Sequence, residues 1–255
     1  MNILCFKIIL TLRRLLNYNP NKPLIYIHIP KTAGTSIKHI FKEWFGSGFS
    51  QFYRIGGKYI FKGETFKEKK VIFGHFNSNY GFAVDKLFPL AEQYITLLRD
   101  PLDTHISAFF YHKKRFSGNK LKQILENISW LISGKFSRET FKILNAHKSW
   151  IDSYKSLDDW LINEPLNYVN HFPSYTNKHN YKDVLNDKFI AIGLYENLER
   201  SLLYFSDLLN KNYKKGQIPI KNVGKYNVAI DDETMKKFRI KNELAYLIYD
   251  YVRQT

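Results

Sequence analysis

Leu24-Ile25-Tyr26-Ile27-His28-Ile29-Pro30-Lys31-Thr32-Ala33-Gly34-Thr35-Ser36 is the stretch that decides the fold. Its first half is a near-continuous apolar run, as in a strand buried on both faces of a parallel sheet. Its second half is a short polar loop with one glycine. From Thr35 the apolar period changes: Ile37, Ile40, Phe41 and Trp44 fall at i, i+3, i+4 and i+7, and Gly46 closes the helix they define. The loop between strand and helix has the chemistry of an anion cradle. Gly34 lets the backbone come close to a ligand. The amides of the incoming helix point at that ligand, with the helix dipole behind them. Thr32, Thr35 and Ser36 add hydroxyl donors, and Lys31 adds a movable positive charge.

The same alternation continues outward. Val71-Ile72-Phe73, Tyr94 to Leu98 and Phe189 to Ile192 read as further buried strands, and residues 51–63 around Gly56-Gly57 as a hairpin. Asp100 reads as a helix cap, with Pro101 at the first helical position and Asp103 in the first turn. Glu196 to Leu209 is amphipathic, and Asp231 to Arg253 is predicted as one final helix after a polar loop, Lys211 to Ile230. Residues 120–162 read as irregular helix. The pattern predicts an α/β fold, a central parallel sheet flanked by helices with an additional helical segment. Residues 1–23 are predicted to be an N-terminal helix and linker. Residues 24–255 are predicted to be a single domain with a helical insertion at about 117–187. In such sheets ligands sit at the carboxyl ends of the strands, which gathers the loops after His28, Phe73 and Leu98 on one edge.

Composition narrows the partners without naming them. The 255 residues carry a formal net charge of +16, which favours anionic partners: nucleotide, acidic polysaccharide, nucleic acid or membrane surface. Cys5 is the only cysteine, so no disulfide forms within the chain, and no zinc-ligand cluster is visible. Ile3 to Leu12 is apolar apart from Lys7 and Thr11, far short of the ~20 residues that span a bilayer. It reads as a docked N-terminal helix or as a short helix leaning on a membrane. The expected location is cytoplasmic, with or without that peripheral membrane contact.

The loop is not the P-loop of nucleoside-triphosphatases. That motif needs Gly-x-x-x-x-Gly-Lys-Ser/Thr, whereas here Lys31 stands three residues before Gly34. Ile27 to Ser36 instead resembles the 5′-phosphosulfate-binding loop of sulfotransferases that use 3′-phosphoadenosine 5′-phosphosulfate (PAPS). It is similar to the branch that includes the heparan sulfate 2-O-sulfotransferases and related carbohydrate sulfotransferases. The resemblance implies a P-loop-NTPase-like sheet and PAPS as donor, with no metal. It also implies a donor site made of Lys31, Thr32, Ala33, Gly34, Thr35 and Ser36.

The family's second motif, for the 3′-phosphate, takes an Arg at a strand end and a Ser about two helical turns later. Arg99 and Ser107, eight positions apart, match it. An Arg fork suits phosphate oxygens. By the same resemblance Lys31 neutralises charge on the leaving nucleotide, and Lys225 in a late loop meets a phosphate. His75 in Gly74-His75-Phe76 takes the acceptor's proton. The related 2-O enzymes carry a His-x-His pair there, but this chain has Phe73 two places before His75, and some relatives use a Glu instead. His28 is the weaker candidate base, reading as a packed strand residue, and His105 reads as structural. Residues 24–116 and 188–253 carry the resemblance. The implied acceptor is a hydroxyl of a glycan or glycolipid, with no nucleic-acid partner expected. The readings that compete are a P-loop nucleotide kinase or NTPase and a basic module that binds anionic polymers.

Overall fold

The computed structural model describes residues 17–55, 58–61, 70–116, 146–216, 226 and 228–255. Calls on the N-terminal helix, the Gly56-Gly57 turn, residues 117–145 and Lys225 lie outside those residues.

The first apolar run forms β1 (Leu24–Ile27), every residue of which is buried. It lies inside a six-stranded sheet with β2 (Phe49–Ile55), β3 (Lys58–Phe61), β4 (Val71–Gly74), β5 (Tyr94–Leu98) and β6 (Phe189–Leu194), in the order β3-β2-β4-β1-β5-β6. All neighbours run parallel except β2 and β3, which form the antiparallel hairpin. β1 pairs Leu24 with Val71 on one side and Ile25 with Tyr94 on the other. The chain builds β2 and β4 on one side of β1, then crosses to add β5 and β6 on the other. The strand order reverses at β1, and in such sheets ligands bind at the carboxyl ends of the strands at that point.

The helix after the polar loop is α1 (Gly34–Phe45). Its buried Ile37, Ile40 and Phe41 pack with Leu24, Tyr26 and Phe73 of the sheet. Tyr26 and Phe73 stack at 4.3 Å, and Phe41 meets Tyr26 edge-on at 4.9 Å. Fully burying side chains of this size contributes about 1.5–3 kcal/mol each, so these contacts fix where α1, and therefore its N-terminus, sits.

The described residues fall into two compact units. The first comprises those of Met1–Pro101, Asn167–Val223 and Asn242–Thr255, and it holds the whole sheet. The second comprises those of Leu102–Leu166 and Gly224–Lys241. Nearly all of α2 (Pro101–Phe116) belongs to this second unit, with α3 (Leu157–Asn163). Trp160 is its buried centre, with the rings of His105 at 5.1 Å, Phe109 at 5.6 Å and Trp150 at 5.3 Å. Burial pushes the His105 pKa down to about 4, so this histidine is a neutral core residue.

In the first unit α4 (Tyr181–Lys188) leads into β6, and α5 (Leu198–Leu208) follows a 3-10 turn over Tyr195–Asn197. Asp231 to Arg253 is not one helix. It is α6 (Asp232–Lys241) and α7 (Glu243–Gln254), broken at Asn242, whose φ of −112° and ψ of 29° leave the helical region. The break coincides with the boundary between the units. Among the described residues no helix is long and apolar enough to cross a membrane.

Candidate functional site

The polar loop departs from β1 at His28, whose amide donates to the Gly74 carbonyl across 2.8 Å. Two residues that are not glycine then take left-handed backbone angles, Lys31 at φ 69° and Ala33 at φ 59°. Each such residue costs on the order of 1–3 kcal/mol. The fully buried Thr32 between them holds the turn, its hydroxyl donating to the Ile29 carbonyl across 2.7 Å. A left-handed turn at a helix start is the kind of bend that aims successive N–H groups at an anion. The α1 N-terminus fits this: Ala33 makes no side-chain capping bond, and no acidic residue stands in the first turn. Thr35 is exposed there and Ser36 is buried.

Gly34 also has a steric reason, one that the sequence alone did not show. A Cβ at this position would lie 1.5 Å from Nε2 of His28. The glycine makes room for the imidazole.

Arg99 follows β5 and reaches the loop. Its Nη1 donates to the Lys31 carbonyl across 3.3 Å, and its guanidinium lies 4.5 Å above the Tyr195 ring. The Arg99 carbonyl accepts from the Tyr168 hydroxyl at 3.0 Å, and the next amide, Asp100, donates to Glu196 at 2.8 Å. Tyr195 and Glu196 thus brace the strand end from the β6–α5 junction. Burial, with Arg99 as a neighbouring cation, lowers the Lys31 pKa to about 8. Two cations converge on the helix N-terminus, the electrostatic condition for binding a multiply charged anion.

Beside the loop stands His75, just past β4. Its Nδ1 lies 2.7 Å from the His28 carbonyl. A carbonyl only accepts, so Nδ1 carries the proton and Nε2 is left with the lone pair, the tautomer a general base requires. Burial pushes its pKa down to about 4, opposed by the bond to His28. The His28 ring stacks on His75 with centroids 4.1 Å apart. Burial and the neighbouring His75 hold His28 well below the usual imidazole range.

A third imidazole, His171, lies 5.9 Å from His75 and ends a 3-10 turn, Val169–His171. Sequence reading missed it, because the stretch around it has no periodic pattern and no motif. The same reading set His28 aside as a packing residue, although it is both ring neighbour and hydrogen-bond acceptor for His75.

The structure therefore brings together Lys31, Thr32, Ala33, Gly34, Arg99 and His75 in the first unit. Ser107 is buried on α2 and belongs to the second unit. Among the described residues no group of three or more His, Cys, Asp or Glu could hold a metal ion.

No curated protein matches the chain significantly. Among solved structures, that of mouse sulfotransferase SULT7A1 complexed with PAP resembles it, with a TM-score of 0.46 and 12% identity over 96% of this chain and 93% of that one. The model of the sulfotransferase family matches residues 14–253, nearly the full length, and the chain belongs to that family.

Proposed function

We propose that the protein transfers a sulfuryl group from PAPS to a hydroxyl of a glycan or glycolipid, such as a bacterial capsule or other cell-surface polysaccharide precursor. The observation that carries this reading is the tie between Arg99 and the Lys31 carbonyl, which puts both cations beside the uncapped N-terminus of α1. Family membership supplies the reaction class. In this reading the loop amides and Lys31 hold the phosphosulfate, and Arg99 holds the 3′-phosphate. PAPS supplies the sulfuryl group.

Catalysis then consists of positioning and charge stabilisation. His75 Nε2 takes the proton as the acceptor oxygen bonds to sulfur. Lys31 stabilises the negative charge left on the nucleotide when the sulfur–oxygen bond breaks. Net charge of +16 and abundant tyrosine suit an acidic sugar acceptor. We place the protein in the cytoplasm.

Calorimetric titration with PAP and with ADP tests the donor, and tight binding of PAP over ADP is expected. Equal binding of the two would remove it. Sulfur-labelled PAPS with a panel of desulfated glycans tests the acceptor. Label appearing only in small phenols or lipids without sugar would overturn the glycan assignment.

A further inference from the structure

One short segment of the first unit is tied to both sides of the candidate site. Tyr168, fully buried, donates its hydroxyl to the Arg99 carbonyl at 3.0 Å. Asn167, beside it, binds the loop that follows His75: its Oδ1 accepts from Nδ2 of Asn77 at 2.9 Å. The same Oδ1 accepts from Nδ2 of Asn170 at 3.2 Å. Asn77 stands two residues past His75 and is buried. His171, next to Asn170, has its ring 5.9 Å from that of His75. Three amides thus form a chain close to the candidate base.

The chain has a fixed sense. Asn77 Oδ1 accepts from the backbone amide of Asn79 at 2.9 Å, and a backbone N–H only donates. The Asn77 nitrogen therefore faces Asn167, and the atom it meets there is the oxygen. Two donors fill both lone pairs of that oxygen. What remains is the Asn167 NH2, a donor, and the Asn170 Oδ1, an acceptor. Both residues are half-buried, and among the described residues neither of these two atoms has a hydrogen-bond partner. Stapling the two loops needs only the bond between Asn77 and Asn167. Asn170 adds an acceptor to the donor that Asn167 leaves over.

We propose that Asn167 and Asn170 bind the acceptor sugar through a pair of neighbouring hydroxyls beside the one that is sulfated. The proposal rests on the glycan reading of the acceptor. One hydroxyl oxygen accepts from Asn167 Nδ2, and the adjacent hydroxyl donates to Asn170 Oδ1. A vicinal diol presents that acceptor and that donor together. A simple phenol has one hydroxyl, which the reaction itself occupies. The amide chain is uncharged, so it orients the acceptor by hydrogen bonds and not by charge. A site built to bond a hydroxyl discriminates against molecules that lack it, because its own polar groups are then left unpaired.

The test is transfer from sulfur-labelled PAPS to desulfated heparin, desulfated chondroitin, dextran and 4-nitrophenol, for wild type, Asn170→Ala and Asn167→Asp, with thermal melting and calorimetric PAP binding in parallel. Asn170→Ala removes the acceptor and leaves the bond between Asn77 and Asn167. Asn167→Asp keeps an oxygen for both neighbours and turns the leftover donor into an acceptor, so the staple holds while the polarity of the site reverses. The expected result is that KM for the best of the three polysaccharides rises about fivefold or more in each variant, with KM for PAPS, PAP affinity and the melting temperature unchanged. A polysaccharide KM that stays at the wild-type value in both folded variants overturns the proposal and leaves the glycan reading standing. A rise matched by an equal rise in KM for PAPS also overturns it, since that is displacement of the loop. Wild type that binds PAP but transfers to none of the polysaccharides removes the glycan reading, and the proposal with it.

Discussion

Arg99 donates from Nη1 to the main-chain carbonyl of Lys31 across 3.3 Å, joining the end of β5 to the loop after β1. The carbonyl belongs to a residue held at φ 69°, so the bond braces a strained turn as well as aiming the guanidinium. Removing it has two effects. The charge-assisted contact to a phosphate disappears, and the loop loses a support. Arg99→Ala is expected to weaken PAP binding by about 1.5–3 kcal/mol, roughly ten- to a hundredfold. ADP, which lacks the 3′-phosphate, should lose less. Calorimetry with both nucleotides on one variant checks this, and an equal loss for both would assign Arg99 to the loop alone.

Lys31 gives the donor site a pH dependence. Its pKa is lowered to about 8 by burial first and by Arg99 second. A bound anion favours the charged form and raises that pKa. Near pH 8, binding therefore takes up a proton, and affinity falls as the pH rises through about 8. Titration of PAP at pH 8 in two buffers of different ionisation enthalpy should show the uptake. At pH 6.5, where Lys31 is already charged, the uptake should vanish. Lys31→Ala should abolish the uptake at pH 8.

The parts of the site carried by contiguous residues were legible in the sequence. The change from a continuous apolar run to a helical period at Thr35 located β1, the loop and α1, and Arg99 declared itself at the end of an apolar strand. What was not legible depends on residues distant in the chain. His171 meets His75 only because the sheet is folded, and nothing near it signals a role. The Thr32 hydroxyl reads as a ligand donor but is bonded to Ile29 inside the loop. The reason for Gly34 is likewise invisible until the His28 ring is placed.

Gly34→Ala should therefore act through His28. The added methyl would sit 1.5 Å from a ring that is buried and stacked on His75, so the imidazole has to leave its place. Overpacking of this kind costs about 1–3 kcal/mol. The stack and the carbonyl that fixes the His75 tautomer move with it. Gly34→Ala is expected to lower the denaturation midpoint and also turnover, with a larger effect on kcat than on KM for PAPS. The double variant Gly34→Ala/His28→Ala opens space for the methyl and should recover stability without recovering turnover.

The histidines make stability fall in mild acid. Folded His75 and His105 titrate at about 4 and His171 at about 3, and His28 is also held low; burial leads in each case. In the unfolded chain all four titrate near 6.5. Between about pH 4 and 6.5 the unfolded state thus binds more protons, and stability declines as the pH drops through that window. Each unit of depression corresponds to roughly 1.4 kcal/mol. The lowered carboxyls of Asp159 and Asp231 act below 3.8 and do not contribute there. Urea unfolding at pH 7, 6 and 5 should show a steady loss in wild type. His171→Phe removes one titrating ring and should give a shallower slope and higher stability at pH 5. A wild-type stability that is flat over this range would mean that the histidines are not held neutral in the folded protein.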